Sequence, residues 1–329
     1  MAFRGDSVQN HFHSVQALRG IAATLVAIFH FFPTQFVVGA AGVDLFFVIS
    51  GFIMGTIGVN DRPLRFLSKR AIRIAPLYWL FTFAMCAGAI AGVYSNFTFD
   101  AVRLIKSLLF IPYWDETGHT WPLMVVGWTL NLEVFFYIVF AIGISFGRPI
   151  LFTAATLLAM VFLGYGFETS NAAFTLWTSN LLLEFVAGLL LSRFSLGEKF
   201  AVPAVVIGVA ALITTNVFSL FDPSYRILVW GVPAVLIVAG CLAIERMGNW
   251  SSPVLKPVQK VGDASYSLYL SHAFFAAAVH KFFGTAFLPS ALGVAAAIVG
   301  AVAIFHLVEK PLIKFLKRPS IKLPTPSQA

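Results

Sequence analysis

Leu18-Arg19-Gly20-Ile21-Ala22-Ala23-Thr24-Leu25-Val26-Ala27-Ile28-Phe29-His30 sets an arginine and a histidine eleven residues apart in an otherwise apolar run. Eleven helical steps of about 100° come to roughly three turns, so the two share one face about 16 Å apart along the axis. The run is one of many. Apolar segments of about 20 residues, each long enough to cross a bilayer, recur at about 17–37, 39–59, 74–93, 123–146, 149–167, 174–194, 201–221, 225–244, 264–283 and 287–308. The pattern predicts an all-α, polytopic integral membrane bundle of about ten transmembrane helices. Ionisable groups at membrane depth are costly and usually face a protein or watery interior. Arg19 and His30 are therefore the first candidates for function.

Composition supports the same class. Hydrophobic residues make up 59% of the chain and charged residues 11%, against about 25% charged in soluble domains. The connections are mostly too short for a soluble domain. The expected organisation is a cytoplasmic N-terminal tail at 1–14, one transmembrane domain at 15–316 and a cytoplasmic C-terminal tail at 317–329. That last tail is Pro- and Ser-rich and expected to be disordered. The first apolar run has no small-residue cleavage site and is followed by more spans, so a cleavable signal is not expected.

The net charge of +8 follows from topology. With ten spans both termini share a side, and eighteen of the 22 Lys and Arg fall on it. The other side holds only Arg103, Lys106, Arg226 and Lys281. This positive-inside asymmetry predicts cytoplasmic termini and removes the need for a nucleic-acid partner. Cys86 and Cys241 lie inside spans without metal-ligand spacing and read as small buried hydrophobes. No HExxH or Cys/His cluster suggests a metal. The longest outward loop, 94–122, contains an amphipathic piece from Arg103 to Trp114 that lies on the surface or dips inward.

The remaining intramembrane polar groups form a short inventory. Counting back from the turn marked by Pro33 and Gly39 to Gly42 puts Asp44 at the depth of His30. A carboxylate beside an imidazole fixes its tautomer and sets up a general base; the bland alternative is a structural hydrogen bond between helices. Arg70 and Arg73, three apart, point the same way. They read as a positive-inside flank or, with Arg19, as an anion site at the cytoplasmic mouth. Glu133 and Tyr137 share a face. Glu184 raises the same question of a partner, with structural pairing favoured. Ser265, Tyr269 and His272 form a polar stripe, either packing glue or the lining of a path for a polar substrate. His11, His13, His280 and His306 have no partner readable from sequence.

Together these pieces resemble the acyltransferase-3 family of bacterial membrane acyltransferases. The matching elements are Arg19-x10-His30 with Gly42-Val43-Asp44 to Ser50-Gly51-Phe52, Arg70-x-x-Arg73 leading into Pro76-Leu77-Tyr78, Trp128-Thr129-Leu130-Asn131-Leu132-Glu133 with Phe135-Phe136-Tyr137, and Ser265 to Leu270 with His272, then Glu309-Lys310-Pro311. The resemblance runs from about residue 14 to 315. Val134 stands where many members carry a second acidic residue, and the Trp-Thr-Leu-Asn form looks closer to the exopolysaccharide-modifying branch.

The resemblance implies transfer of an acyl group, usually acetyl, from cytoplasmic acyl-coenzyme A as co-substrate to a carbohydrate hydroxyl. It implies catalytic roles for His30 and Arg19 and a coenzyme site at Arg70 and Arg73; the reading of the residues adds Asp44 and Glu133 to the catalytic set and Arg19 to the coenzyme site. Tyr137, Tyr269, His272 and Ser265 are the expected acceptor-binding residues. The expected partners are a carbohydrate or glycolipid acceptor, membrane lipid and polysaccharide-assembly proteins, in the bacterial inner membrane. The esterase-like C-terminal domain of some members is not seen, so an outward relay would use another protein or the substrate itself. The alternative is a transporter or flippase for a lipid-linked glycan, its buried charges forming a proton relay.

Overall fold

The computed structural model describes residues 12–93, 99–167, 169–248, 250 and 253–317, all helix, turn or irregular chain with no strand among them. His11, nearly all of the expected N-terminal tail and all of the C-terminal tail beyond Lys317 lie outside the described residues. In order the helices are α1 (His13–Phe31), α2 (Gly42–Ile57), α3 (Pro63–Ile90), α4 (Ala101–Leu108), α5 (Trp128–Ser145), α6 (Pro149–Gly166) and α7 (Ala172–Trp177). Then come α8 (Leu182–Leu191), α9 (Ala201–Val217), α10 (Val232–Met247), α11 (Lys256–Asp263), α12 (Ser265–Phe283), α13 (Phe287–Ile304) and α14 (Lys310–Leu316). Single π-turns precede α10 at Ile227–Gly231 and follow α13 at Phe305–Glu309.

Among the described residues nine helices are long and apolar enough to cross a membrane. The expected span at 264–283 is present as α12, but its serines and histidines make it more polar than the other nine. That polarity is internal, since Ser265, Ser267, Ser271 and His272 are all buried. The third span differs too: α3 starts at Pro63, with proline in the first turn where its missing N–H costs nothing, and runs through Pro76. Pro76 removes one ladder bond, and beside it the Tyr266 hydroxyl of α12 donates to the Ile74 carbonyl at 2.7 Å.

The span containing α2 lies at the centre, with 78% of an 18-residue apolar stretch buried, whereas the same length in the span containing α13 is 17% buried and faces outward. α2 packs against α8 without intervening side chains: a Cβ at Gly51 would lie 2.2 Å from the Phe185 carbonyl oxygen, and one at Gly188 would lie 2.1 Å from that of Val48. Small residues allow this approach in a membrane, where helices associate through close packing. Gly188→Val is expected to abolish accumulation of folded protein, measured as the monodisperse fraction after detergent extraction; full recovery would show that the contact can relax. α5 ends at Gly147 in the left-handed region (φ +69°), with Arg148 N–H donating to the Gly143 carbonyl at 3.2 Å. This six-residue closure satisfies the last carbonyls and turns the chain into Pro149.

Tertiary caps complete the ends. The Glu245 carboxylate of α10 accepts from the His13 N–H at 2.6 Å and the Ser14 N–H at 3.2 Å, an anion at the positive end of α1. At the α2–α3 turn, burial disfavours the charge of Asp61. The bond from Lys69 Nζ at 2.6 Å and the Arg62 N–H outweigh it, so its carboxyl sits below its ordinary value. That contribution is present above the usual carboxylate range and is lost as pH falls through the lowered value. The amphipathic piece of the long loop does dip inward. After α4 the chain turns at Phe110 (φ +57°), whose ring stacks on Tyr78 at 4.9 Å, and Tyr113 is buried.

Candidate active site

Five elements enclose a cavity of about 130 Å³, lined by Arg19, Ser50, Arg70, Arg73, Glu133, Tyr137, Ser265, Tyr266 and Tyr269 among apolar neighbours such as Phe46 and Ile74. α1 supplies Arg19, α2 Phe46 and Ser50, α3 the other two arginines, α5 Glu133 with Tyr137, and α12 Ser265 with the two tyrosines. The three arginines expected at one mouth thus line one space.

Each arginine is held differently. Arg19 Nη2 donates to Ser265 Oγ at 3.0 Å. Arg73 forms an ion pair with Glu309, which is almost wholly buried and also accepts from Ser267 Oγ at 2.5 Å. Its guanidinium stands 5.8 Å from the centre of the Tyr266 ring. Arg70 has no carboxylate partner among the described residues. Its guanidinium lies over the Phe66 and Tyr137 rings at 5.7 and 5.9 Å, and its buried Nε makes no hydrogen bond there. Aromatic faces position a guanidinium without neutralising it. Three guanidiniums therefore meet two carboxylates, an excess that suits an anionic ligand. The helical spacing of Glu133 and Tyr137 holds: the tyrosine hydroxyl donates to Glu133 Oε1, which also accepts from Ser50 Oγ at 3.1 Å. Tyr269 OH donates to the Val126 carbonyl at 3.0 Å and lies 2.8 Å from Thr129 Oγ1.

Two expectations are corrected. Asp44 does not sit beside His30. It is fully buried and accepts from Arg226 Nη2 at 2.7 Å and Nε at 3.2 Å. Helical depth alone does not fix azimuth, and on α2 Asp44 faces the π-turn before α10. Arg226, which reads as a flanking charge, is packed 4.9 Å over the Trp230 ring. Glu184 lies beside the same pair, fully buried, with its carboxyl group next to that of Asp44.

The polar stripe of α12 is also divided. Ser265 and Tyr269 line the cavity, but His272 does not: its Nε2 lies 3.2 Å from His30 Nδ1, with ring centroids 4.6 Å apart. The two histidines sit next to the cavity wall, since the Tyr269 ring is 6.0 Å from His272 and 5.9 Å from Phe46. His280 Nε2 lies 3.3 Å from the Phe31 carbonyl oxygen.

Sequence reasoning gave no role to Ser50, Thr129, Tyr266, Arg226 or Glu309. Ser50, Thr129, Tyr266 and Glu309 carried a signal, since all four fall within the quoted motifs. Arg226 carried none beyond its charge. Cys86 and Cys241 are free and buried, and among the described residues no group of three His, Cys, Asp or Glu has a metal-ligand arrangement.

With this geometry in place, comparison with known proteins identifies the chain. Residues 12–308 match the family described as an acyltransferase domain. The chain is 37% identical over 301 residues to the exopolysaccharide production protein ExoZ of Rhizobium meliloti (strain 1021), covering 85% of this chain and 91% of that protein. It is 26% identical over 288 residues to BcsY of Komagataeibacter xylinus, named as a membrane-bound transacylase, covering 80% of this chain and 72% of that one. A shorter match, 29% over 137 residues and 40% of each chain, is to a protein of Acidianus two-tailed virus named as an acetyltransferase, ORF330. No solved structure matches. A multi-pass helical bundle with an arginine-lined internal cavity and a family match over most of its length belongs to the acyltransferase-3 family of membrane acyltransferases.

Proposed function

We propose that the chain is a bacterial inner-membrane O-acyltransferase with both termini cytoplasmic. It would move an acyl group, acetyl first among candidates, from cytoplasmic acyl-coenzyme A to a hydroxyl of an exported polysaccharide or its lipid-linked precursor. The observation that carries this is the convergence of Arg19, Arg70 and Arg73 on one cavity, with Arg19 on the helix that also bears His30. The names of ExoZ and BcsY support an exopolysaccharide acceptor and transacylation. Family membership favours acyl transfer over glycan transport.

The residues fit such a donor. Arg70, uncompensated and with an unused Nε, and Arg73 would grip the phosphates with Arg19. At about 130 Å³ the cavity is smaller than the roughly 300–1,000 Å³ of sites that enclose whole small molecules. It suits the acyl end of a thioester arm, with the nucleotide at the cytoplasmic mouth. The acceptor hydroxyl approaches from the outer side, and its proton passes to His30. Its oxygen bonds to the acyl carbon, the C–S bond breaks, and the leaving thiolate takes a proton. Glu133, held by Ser50 and Tyr137, stays at the cavity as a hydrogen-bond acceptor for a donor or acceptor group.

The test is transfer of label from acyl-labelled coenzyme A to surface glycan by membranes with and without the protein. Equal label in both would sink the assignment. In the same assay Arg70→Ala is expected to raise KM for acyl-coenzyme A about tenfold or more with little change in kcat, the mark of lost ground-state binding. An unchanged KM would remove Arg70 from the donor site.

A further inference from the structure

We infer that His272 is a positioning residue that holds His30 in the single neutral tautomer whose Nε2 is free to take a proton. The inference deepens the acyl-transfer reading and rests on it only for the source of that proton.

The argument is one of hydrogen-bond valence. His30 Nδ1 lies 2.9 Å from the Val26 carbonyl oxygen, and His272 Nδ1 lies 3.0 Å from that of Leu268. A carbonyl oxygen offers only lone pairs, so each Nδ1 must carry a hydrogen. A neutral imidazole has one N–H, and His272 is fully buried among apolar groups. Its Nε2 is therefore a bare lone pair, and that lone pair faces His30 Nδ1 at 3.2 Å. The His30 N–H is shared between the Val26 carbonyl and His272 Nε2. Both acceptors bind the Nδ1–H, and His30 Nε2 is left as the free base.

Packing makes this arrangement rigid. α1 and α12 meet through Ala23, Ala27, Leu268 and Ala276, all buried, with Phe31 beside them. Small residues there bring the two rings to an edge-to-face angle of 63°. The part that a carboxylate plays behind the histidine of a Ser-His-Asp triad is taken here by a neutral ring. Asp44 does not take it: its carboxylate faces Arg226, and no hydrogen bond joins it to His30 among the described residues. A neutral acceptor orients the base without adding a buried charge, which membrane depth penalises. When the acceptor hydroxyl gives its proton to His30 Nε2, the Nδ1–H bonds persist and spread the new positive charge over two acceptors.

Two variants and one spectroscopic measurement test this. His272→Leu keeps volume and removes the acceptor, whereas His272→Gln can place an amide oxygen near the Nε2 position. The expected result is a fall in kcat of about 10–100-fold for the leucine variant, with KM for acyl-coenzyme A within about twofold of wild type. The glutamine variant should stay within about threefold of wild type in both. Nitrogen-15 spectra of histidine-labelled wild-type protein, assigned by loss of the His30 signals in His30→Asn, should show His30 as the Nδ1–H tautomer. A wild-type kcat in His272→Leu, an equal loss in both variants, or an Nε2–H tautomer at His30 would overturn the inference. If the leucine variant fails to fold, the glutamine variant and the spectrum still decide. The spectrum needs neither donor nor acceptor, so a wild type that transfers no acyl group would sink the function while leaving the tautomer to be judged separately.

Discussion

Replacing His30 with alanine is expected to lower acyl transfer by about 10²–10⁴-fold, the range by which a positioned general base accelerates a reaction. The loss should fall on kcat, with KM for the donor little changed, because Arg19, Arg70 and Arg73 remain at the cavity. Stability should fall far less. The substitution removes a half-buried ring and leaves His272 Nε2 without its partner, an effect of about 1–3 kcal/mol. The measurement is steady-state transfer from labelled acyl-coenzyme A by membranes matched for folded protein. A His30→Ala variant with more than about a tenth of wild-type kcat would show that another group takes the proton.

The largest expected effect on stability lies outside the cavity. Arg226→Met should destabilise the protein by about 3–5 kcal/mol, the cost of removing one partner from a buried ion pair. Asp44 is fully buried and loses two charge-assisted bonds, and Glu184 beside it loses the nearest positive charge. Methionine fills much of the space over Trp230, so volume alone should contribute little. Adding Asp44→Asn should recover part of the loss, since neighbouring sites couple by about 0.5–3 kcal/mol. Thermal unfolding in detergent reads both. An unchanged midpoint in Arg226→Met would show that the cluster does not support the fold and that its carboxylates are retained for another reason.

The fold was largely legible from the chain. Ten spans were expected; nine helices of the described residues are long and apolar enough, and the remaining expected span, 264–283, is the more polar α12. α12 sits at the limit of the hydropathy argument because it is shielded by neighbours and can afford four buried serine and histidine positions. Within the site, contacts along one helix were legible too. Glu133 meets Tyr137 because four residues bring side chains over one another on any helix. Contacts between helices were not. Asp44 was expected at His30 because depth can be counted from a turn, yet the direction in which a side chain leaves its helix depends on what packs there.

The class of protein, the uneven spread of basic residues between the two sets of connections, and the shared face of Arg19 and His30 are readable in the chain alone. These follow from apolar length, charge asymmetry and the helical period, all local properties of the chain. Which side chains meet is fixed by how the helices pack. His30 meets His272 across 242 residues, Arg73 meets Glu309 across 236, and Asp44 meets Arg226 across 182. Backbone geometry sets spacing within a helix. Which helices become neighbours, and at what rotation, is set by close contacts such as Gly51 against Gly188, and those belong to the packed bundle as a whole.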